Sequence, residues 1–252
     1  LGEGPLLRAA LASAAADEHV LAIAIHHIAA DGWSLGVLEK ELRTLYSAYA
    51  RGESSPLAQL SLQYADYAIW QRQWLQGPVL QQQLSFWREQ LLDAPAELQL
   101  PTDRARPAVE SFKGAARQFK LSSSLKSALT ALAKRHGATL FMVCLAAYQI
   151  LLWRWSGQRD IVVGSPTAGR RSSELEGLIG FFVNTLPLRT KIAPEMTFRE
   201  LLSRVKETTL AAFAHQDLPF DVLVKELRPD RSARQNPLFQ VMFVLQNAPV
   251  TT

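Results

Sequence analysis

The sequence predicts an α/β fold in which mixed sheets are covered by helices. Three observations predict it. The run Val20-Leu21-Ala22-Ile23-Ala24-Ile25 is apolar on both alternating faces, as a strand covered on both sides is. Leu35, Leu38, Leu42, Leu45 and Tyr49 fall on one stripe at helical spacing. The second half of the chain alternates strand-like and helix-like stretches, with no repeat of the solenoid kind.

Taken in order, residues 5–27 predict a β-hairpin with arms at 5–13 and 19–27 and a turn at Ala16-Asp17-Glu18. Asp31-Gly32 breaks the strand pattern, Ser34 is the expected cap of a helix over 35–50, and Gly52 the expected stop. Helical stretches follow at 63–75 and 79–92, interrupted by Gly77-Pro78. Pro95, Pro101 and Pro107 give residues 93–117 the only linker character in the chain. They predict a first lobe over 1–93, a linker over 94–115 and a second lobe over 116–252.

The second lobe opens with a strand candidate at 116–121 and a helix over 122–136, with Leu125, Leu129, Leu132 and Ala133 on its buried stripe and Gly137 at its end. An apolar core helix is expected over 139–155, strands at 160–165 and 180–189, and a helix over 197–213 capped by Thr197. A short helix near 220–227 and a last strand at 238–245 complete the order.

With 252 residues and 48% hydrophobic composition, the chain can bury a sizeable core. Its 27 Lys and Arg against 23 Asp and Glu leave a net charge of +4, scattered apart from small clusters at Arg104/Arg106 and Arg170/Arg171. That balance does not point to nucleic acid. The longest apolar stretch, 140–153, is shorter than the roughly 20 residues a bilayer needs and contains Gln149, so no membrane partner is expected. The single cysteine, Cys144, sits between Val143 and Leu145. It is expected to be a plain buried residue, and the lack of a disulfide framework fits a cytoplasmic protein. The chain starts at Leu1 and both of its ends abut strand-like runs, so it is expected to be a piece of a longer protein.

The chemistry centres on His26-His27-Ile28-Ala29-Ala30-Asp31-Gly32-Trp33-Ser34, between a strand and a helix. Metal binding is not expected, because adjacent strand residues point to opposite faces and His26 and His27 would not share one ion. Two readings stay open on the residues alone. Both imidazoles are hydrogen-bonded structural groups, or one is a general base or positions a nucleophile, with an unperturbed pKa near 6.5 suiting that work. Asp31, across a tight turn from His27, is suited to orienting the loop by pairing with a cation elsewhere. Asn184 is polar within an apolar strand and needs a partner, and Pro187 argues for an edge or bulge there. His215 stands where a helix should end, before Pro219.

His26-His27-x-x-x-Asp31-Gly32-Trp33-Ser34 resembles the HHxxxDG active-site motif of condensation domains of non-ribosomal peptide synthetases. These belong to the acyltransferases of chloramphenicol-acetyltransferase-like, two-lobed fold. Further stretches resemble later family motifs in the family's order: Tyr64-Ala65-Asp66-Tyr67-Ala68-Ile69-Trp70; Ile179-Gly180-Phe181-Phe182-Val183-Asn184-Thr185 with Arg189; His215-Gln216-Asp217-Leu218-Pro219-Phe220-Asp221; and Asn236-Pro237-Leu238-Phe239-Gln240. The resemblance implies amide bond formation between two thioesters carried on phosphopantetheine arms of peptidyl carrier proteins, which enter a cleft between the lobes from opposite faces. It belongs to secondary metabolite biosynthesis, with upstream and downstream carrier proteins and an adenylation domain as partners, and with no intrinsic cofactor and no metal.

By the same resemblance, His27 accepts the amine proton or holds the amine in line, and His26 supports the loop. Asp31 is structural, Gly32 keeps the approach open and offers an amide to the oxyanion, and Trp33 lines the substrate channel. Asn184 is expected near that channel and Arg189 as an anchor. The wording of the motifs is most similar to condensation domains that take an L-configured donor residue. Two family motifs have no counterpart before His26, and one carries an arginine that would pair with Asp31. The resemblance therefore implies a truncated first lobe, an unpaired Asp31, and a chain that by itself is poorly stable and inactive. A coenzyme A-dependent acyltransferase and a non-catalytic docking module for carrier proteins remain as alternatives.

Overall fold

In the computed structural model, residues 2–104, 113–227 and 238–246 are described. The chain divides into two compact units that interleave along the sequence. One holds Leu1–Trp74, Ala168–Val183 and Gln246–Thr252; the other holds Leu75–Thr167 and Asn184–Leu245. The stretch expected to link the lobes, 94–115, falls within the range of the second unit, with 105–112 outside the described residues.

In the first unit, β1 (Leu7–Ser13) and β2 (His19–Ile25) pair antiparallel from Leu7↔Ile25 to Ser13↔His19. The turn closes where Ala14 N and Ala15 N donate to Glu18 O. Among the described residues the expected cover on both faces of β2 is not supplied: Val20 is 58% exposed and Leu21, on the opposite face, 51%. An apolar alternation shows which environment a strand suits, and among the described residues no further strand joins this two-stranded sheet. Helix α1 (Gly32–Ala50) begins earlier than expected because Asp31, not Ser34, is its N-cap and accepts from Ser34 N. The expected stripe is only partly used, with Leu38, Leu42 and Leu45 half-buried but Leu35 and Tyr49 exposed. Helix α2 (Tyr64–Trp74) and a 3₁₀ turn at Ser173–Leu175 also belong to this unit.

The second unit begins with α3 (Gly77–Leu91), in which Pro78 stands at the first turn. There its missing N–H removes no helical bond, so Gly77-Pro78 starts this helix instead of interrupting one. Ser122 and Thr139 cap α4 (Ser123–Arg135) and α5 (Leu140–Ser156). Strands β3 (Asp160–Thr167) and β4 (Asn184–Lys191) pair antiparallel. Thr197 caps α6 (Phe198–Ala214) in a reciprocal box with Glu200, and α7 (Phe220–Leu227) follows. The core gathers Trp87, Leu145, Ile161, Leu188, Leu202 and Val205, all nearly inaccessible.

Pro187 is accommodated by register. It lies opposite Gly164, whose own N–H and C=O bond away from β4, to Val241 O and Phe243 N. A proline at that position therefore loses no ladder bond. Three expected strands differ. Residues 116–121 form none, with Phe119 83% exposed. The strand expected over 180–189 starts only at Asn184, and 238–245 contributes a single parallel bridge, Gly164↔Met242. Among the described residues 116–121 pair with no neighbour, whereas 238–245 meet β3 only around Gly164. Among the described residues no single helix is long and apolar enough to cross a membrane.

Gly164 is also where a ring packs on bare backbone, since an added Cβ would stand 2.3 Å from the Phe239 ring. Gly164→Ala is expected to destabilise the protein by about 1–3 kcal/mol through overpacking, read as a lower urea midpoint. An unchanged midpoint would show that Phe239 does not pack there in solution.

Candidate active site

Strand β2 ends at Ile25, so His26 and His27 lie beyond it, in a turn where Ala29 N donates to His26 O at 2.9 Å. The alternation of strand side chains therefore does not apply to this pair, and that argument against a shared metal ion falls; among the described residues no group of three or more His, Cys, Asp or Glu could hold one. His26 N still bonds Leu6 O across the hairpin at 2.8 Å, and its Nδ1 accepts from Ile28 N at 3.1 Å. His26 thus braces the turn on two sides. His27 is exposed, and its ring meets the Phe181 ring in a T-shaped contact at 5.5 Å.

Asp31 is buried and gathers donors. Ser34 N reaches its Oδ1 at 2.8 Å, Phe182 N its Oδ2 at 2.9 Å, and Arg170 Nη2 its Oδ1 at 3.3 Å. Ser34 Oγ lies 2.8 Å from both Asp31 Oδ1 and Gly180 O, and its one hydrogen serves one of them at a time. The same oxygen accepts from Gly180 N and Arg170 Nη2. The expectation of an unpaired Asp31 is corrected: its counter-charge is Arg170, within this chain and fully buried with it. An unpaired Asp31 is therefore no longer a ground for the expected instability. Burial pushes the Asp31 carboxyl up, but the bonds from Ser34 and Phe182 and the charge of Arg170 outweigh it and hold it below the usual range.

Arg170 is held in turn. Its Nη1 donates to Leu175 O and Leu178 O, and its guanidinium lies 4.0 Å above the Phe182 ring. Trp33 Nε1 donates to Glu176 O at 2.9 Å, so its indole is tied to the same segment. Tyr64 OH donates to Phe181 O at 2.9 Å. Burial, then the negative charge of Asp31, push the Tyr64 phenol up, so it keeps the proton it donates. Two glycines permit this closeness. A Cβ on Gly180 would stand 2.2 Å from the Tyr64 ring, and one on Gly169 1.9 Å from Phe182 O, at a φ of +67° that already favours glycine.

The structure thus brings together His26, His27, Asp31, Gly32 and Trp33 with Arg170, Ser34, Tyr64 and Phe181. Sequence reasoning singled out Arg170 only as part of a charge cluster. The signal for its role was the need of a buried carboxylate for a cation.

Asn184 and Arg189 belong to the second unit, and their polar atoms are committed. Asn184 Nδ2 donates to Gln216 O and Leu218 O, both at 2.8 Å, while Oδ1 accepts from Thr185 N and Phe220 N. This uses the full capacity of the amide and clamps the segment that leads into α7. Arg189 forks onto both oxygens of Asp160 at 2.9 and 2.6 Å. Its other N–H groups reach Gln90 O, Leu92 O and Asp93 O, the loose carbonyls at the end of α3. His215 stacks on Phe86 at 3.7 Å with Nδ1 against Ala211 O. Cys144 is half-buried, and burial pushes its thiol up, away from the reactive thiolate. Of the last motif, Asn236 and Pro237 lie outside the described residues.

A family model, Condensation domain, matches residues 1–251. A linear gramicidin synthase component from Brevibacillus parabrevis is 56% identical over 247 residues, covering 98% of this chain and 5% of that protein. The X-domain from teicoplanin biosynthesis superposes with a TM-score of 0.87 at 32% identity, over 95% of this chain and 54% of that one, and has also been seen in complex with OxyB. Holo-AB3403, a four-domain nonribosomal peptide synthetase bound to AMP and glycine, matches with a TM-score of 0.85 at 30% identity, over 96% of this chain and 18% of that one. The chain therefore spans a small part of the synthetases it matches and about half of the X-domain chain. Its fold is the mixed α/β, chloramphenicol-acetyltransferase-like fold of condensation domains.

The Asp31–Arg170 pair makes two measurable statements. Asp31→Ala leaves a buried guanidinium without its counter-charge and is expected to cost about 3–5 kcal/mol. Because the folded-state carboxyl lies below its unfolded value, its stabilisation is complete above a pH of about 4 and is lost as pH falls through the lowered folded value. Urea midpoints of wild type and Asp31→Asn should therefore keep a constant gap from neutral pH down to about 4 and converge below it. A gap that closes near neutral pH would contradict the pairing.

Proposed function

This chain belongs to the condensation-domain family, and we propose that it forms the amide bond in a non-ribosomal peptide synthetase. The donor is an aminoacyl or peptidyl thioester and the acceptor an aminoacyl thioester, each on the phosphopantetheine arm of a carrier protein. The observation that carries the proposal is His27, exposed on a turn that Asp31 and Arg170 hold from beneath.

In the proposed reaction, the acceptor amine attacks the donor carbonyl carbon. A C–N bond forms, the amine proton passes toward His27, and the tetrahedral oxyanion collapses with breakage of the C–S bond. The thiolate takes up the proton and leaves as the free thiol of the donor arm. A thioester is already activated, so holding the amine in line supplies much of the acceleration, with proton acceptance added. His26 keeps the turn in shape, and Trp33, tied to Glu176 O, forms a wall of the approach. Gly32 opens helix α1, where backbone N–H groups lack helical partners, and its amide is the proposed donor to the oxyanion. A Cβ at Gly32 would meet nothing within 4 Å, so the chain's own packing does not demand glycine there. Close approach of a substrate does. Asn184 and Arg189 act in this scheme by positioning the second unit's segments and not by touching substrate. The cofactor chemistry comes only from the carrier arms, and the partners are carrier proteins and an adenylation domain.

A second reading, a docking module without chemistry, is favoured by the likeness to the X-domain found with OxyB. His27→Ala in the intact synthetase separates the two. Loss of a general base and positioner is expected to lower amide formation by about 10²- to 10⁴-fold, measured as peptidyl-carrier product by mass spectrometry. Full turnover would support docking instead. The donor residue is proposed to be L-configured, so a carrier loaded with the D-donor should give less product than its L-counterpart in the same assay. Equal yields would remove that assignment.

A further inference from the structure

We infer that Phe181 is a positioning residue for His27, its ring fixing the angle at which the imidazole meets the incoming amine. The inference rests on the amide-forming role proposed for His27 and extends it to a residue outside the histidine motif.

His27 sits on an exposed turn past the end of a strand, where an imidazole with no neighbour would sample several rotamers. The Phe181 ring meets it with centroids 5.5 Å apart and planes at 82°. That edge-to-face geometry sets the positive rim of one ring against the negative face of the other.

Phe181 is itself held on both sides. Before it, Gly180 O accepts from Asp31 N, and Gly180 N donates to Ser34 Oγ. At Phe181, the carbonyl accepts from Tyr64 OH. After it, Phe182 N donates to the Asp31 carboxylate. Three successive residues are thereby pinned to groups at 31, 34 and 64, and Asp31 belongs to the same loop as His27. The turn and the ring that faces it form one framework.

The two adjacent phenylalanines divide the work. Phe182 is 4% exposed, beneath Arg170 and against Tyr64, and it packs. Phe181 is 37% exposed. Its ring is therefore reachable from solvent beside His27.

The test uses the intact synthetase with carrier-loaded substrates and two readouts. One is kcat and KM for amide formation. The other is the rate at which diethylpyrocarbonate labels His27, located by peptide mass spectrometry. Phe181→Ala is expected to lower kcat about 3- to 10-fold, the scale of one aromatic pair, and to leave KM within about twofold. Labelling of His27 should rise as the ring that shields it is removed. Phe181→Tyr should restore both readouts, and Tyr64→Phe should move both in the direction of Phe181→Ala, less far. Unchanged labelling in Phe181→Ala overturns the inference, as does raised labelling with unchanged kcat. His27→Ala distinguishes the two failures: full turnover in that variant sinks the amide-forming reading, while the labelling result still decides the contact.

Discussion

The candidate site depends on one buried ion pair. Taking a carboxylate and a guanidinium out of water costs several kcal/mol each, and their attraction offsets that only when the remaining bonding capacity is filled. Here backbone fills much of it, although Arg170 Nε is buried with no hydrogen-bond partner among the described residues. Asp31 takes the N–H of Ser34 and of Phe182, and Arg170 takes the carbonyls of Leu175 and Leu178. The pair spans 139 residues of sequence, so it closes a loop that local structure would never bring together. The same carboxylate that caps α1 also fixes the backbone beside Phe181. A substitution at Asp31 therefore disturbs the helix start, the facing segment and the histidine turn together.

The second unit uses the same device with different groups. Arg189 spends its guanidinium on Asp160 and on the unsatisfied carbonyls that end α3, and Asn184 spends its amide on the segment between α6 and α7. Polar side chains in a mostly apolar strand invite a catalytic reading. Their saturation argues otherwise, because an amide with all its donors and acceptors engaged has none left for a substrate. His27 is the opposite case, exposed and in T-shaped contact with the Phe181 ring.

Much of this was legible in the sequence where the signal is local. The helix capped by Thr197 follows from a side-chain oxygen placed before an amphipathic run, and the helices expected over 122–136 and 139–155 also form, with Ser122 and Thr139 as their caps. The hairpin also follows, since its two arms are joined by a short polar turn. What failed depended on distant partners. A strand at 116–121 needs a neighbour that local residues cannot announce, and the cap of α1 at Asp31 is decided by the same carboxylate that binds Phe182 and Arg170. Arg170 itself lay in plain view as one of two adjacent arginines. Nothing near it in sequence indicates that it is buried and its neighbour is not. The family motifs were readable because they record residues whose contacts are fixed across the chain, which is why Gly180 and Tyr64 matched before their packing was known.

The architecture also bears on which part of the proposed chemistry the protein supplies. Around the buried pair, the interactions near the loop place backbone: a braced turn, a capped helix, a facing segment pinned at three successive residues. On the proposed reaction this suits the substrates. A thioester is reactive enough that alignment of the amine counts for more than added basicity. A framework that fixes His27 by its neighbours' backbone, and leaves the space above Gly32 open, is built to align two reactants that arrive on flexible arms.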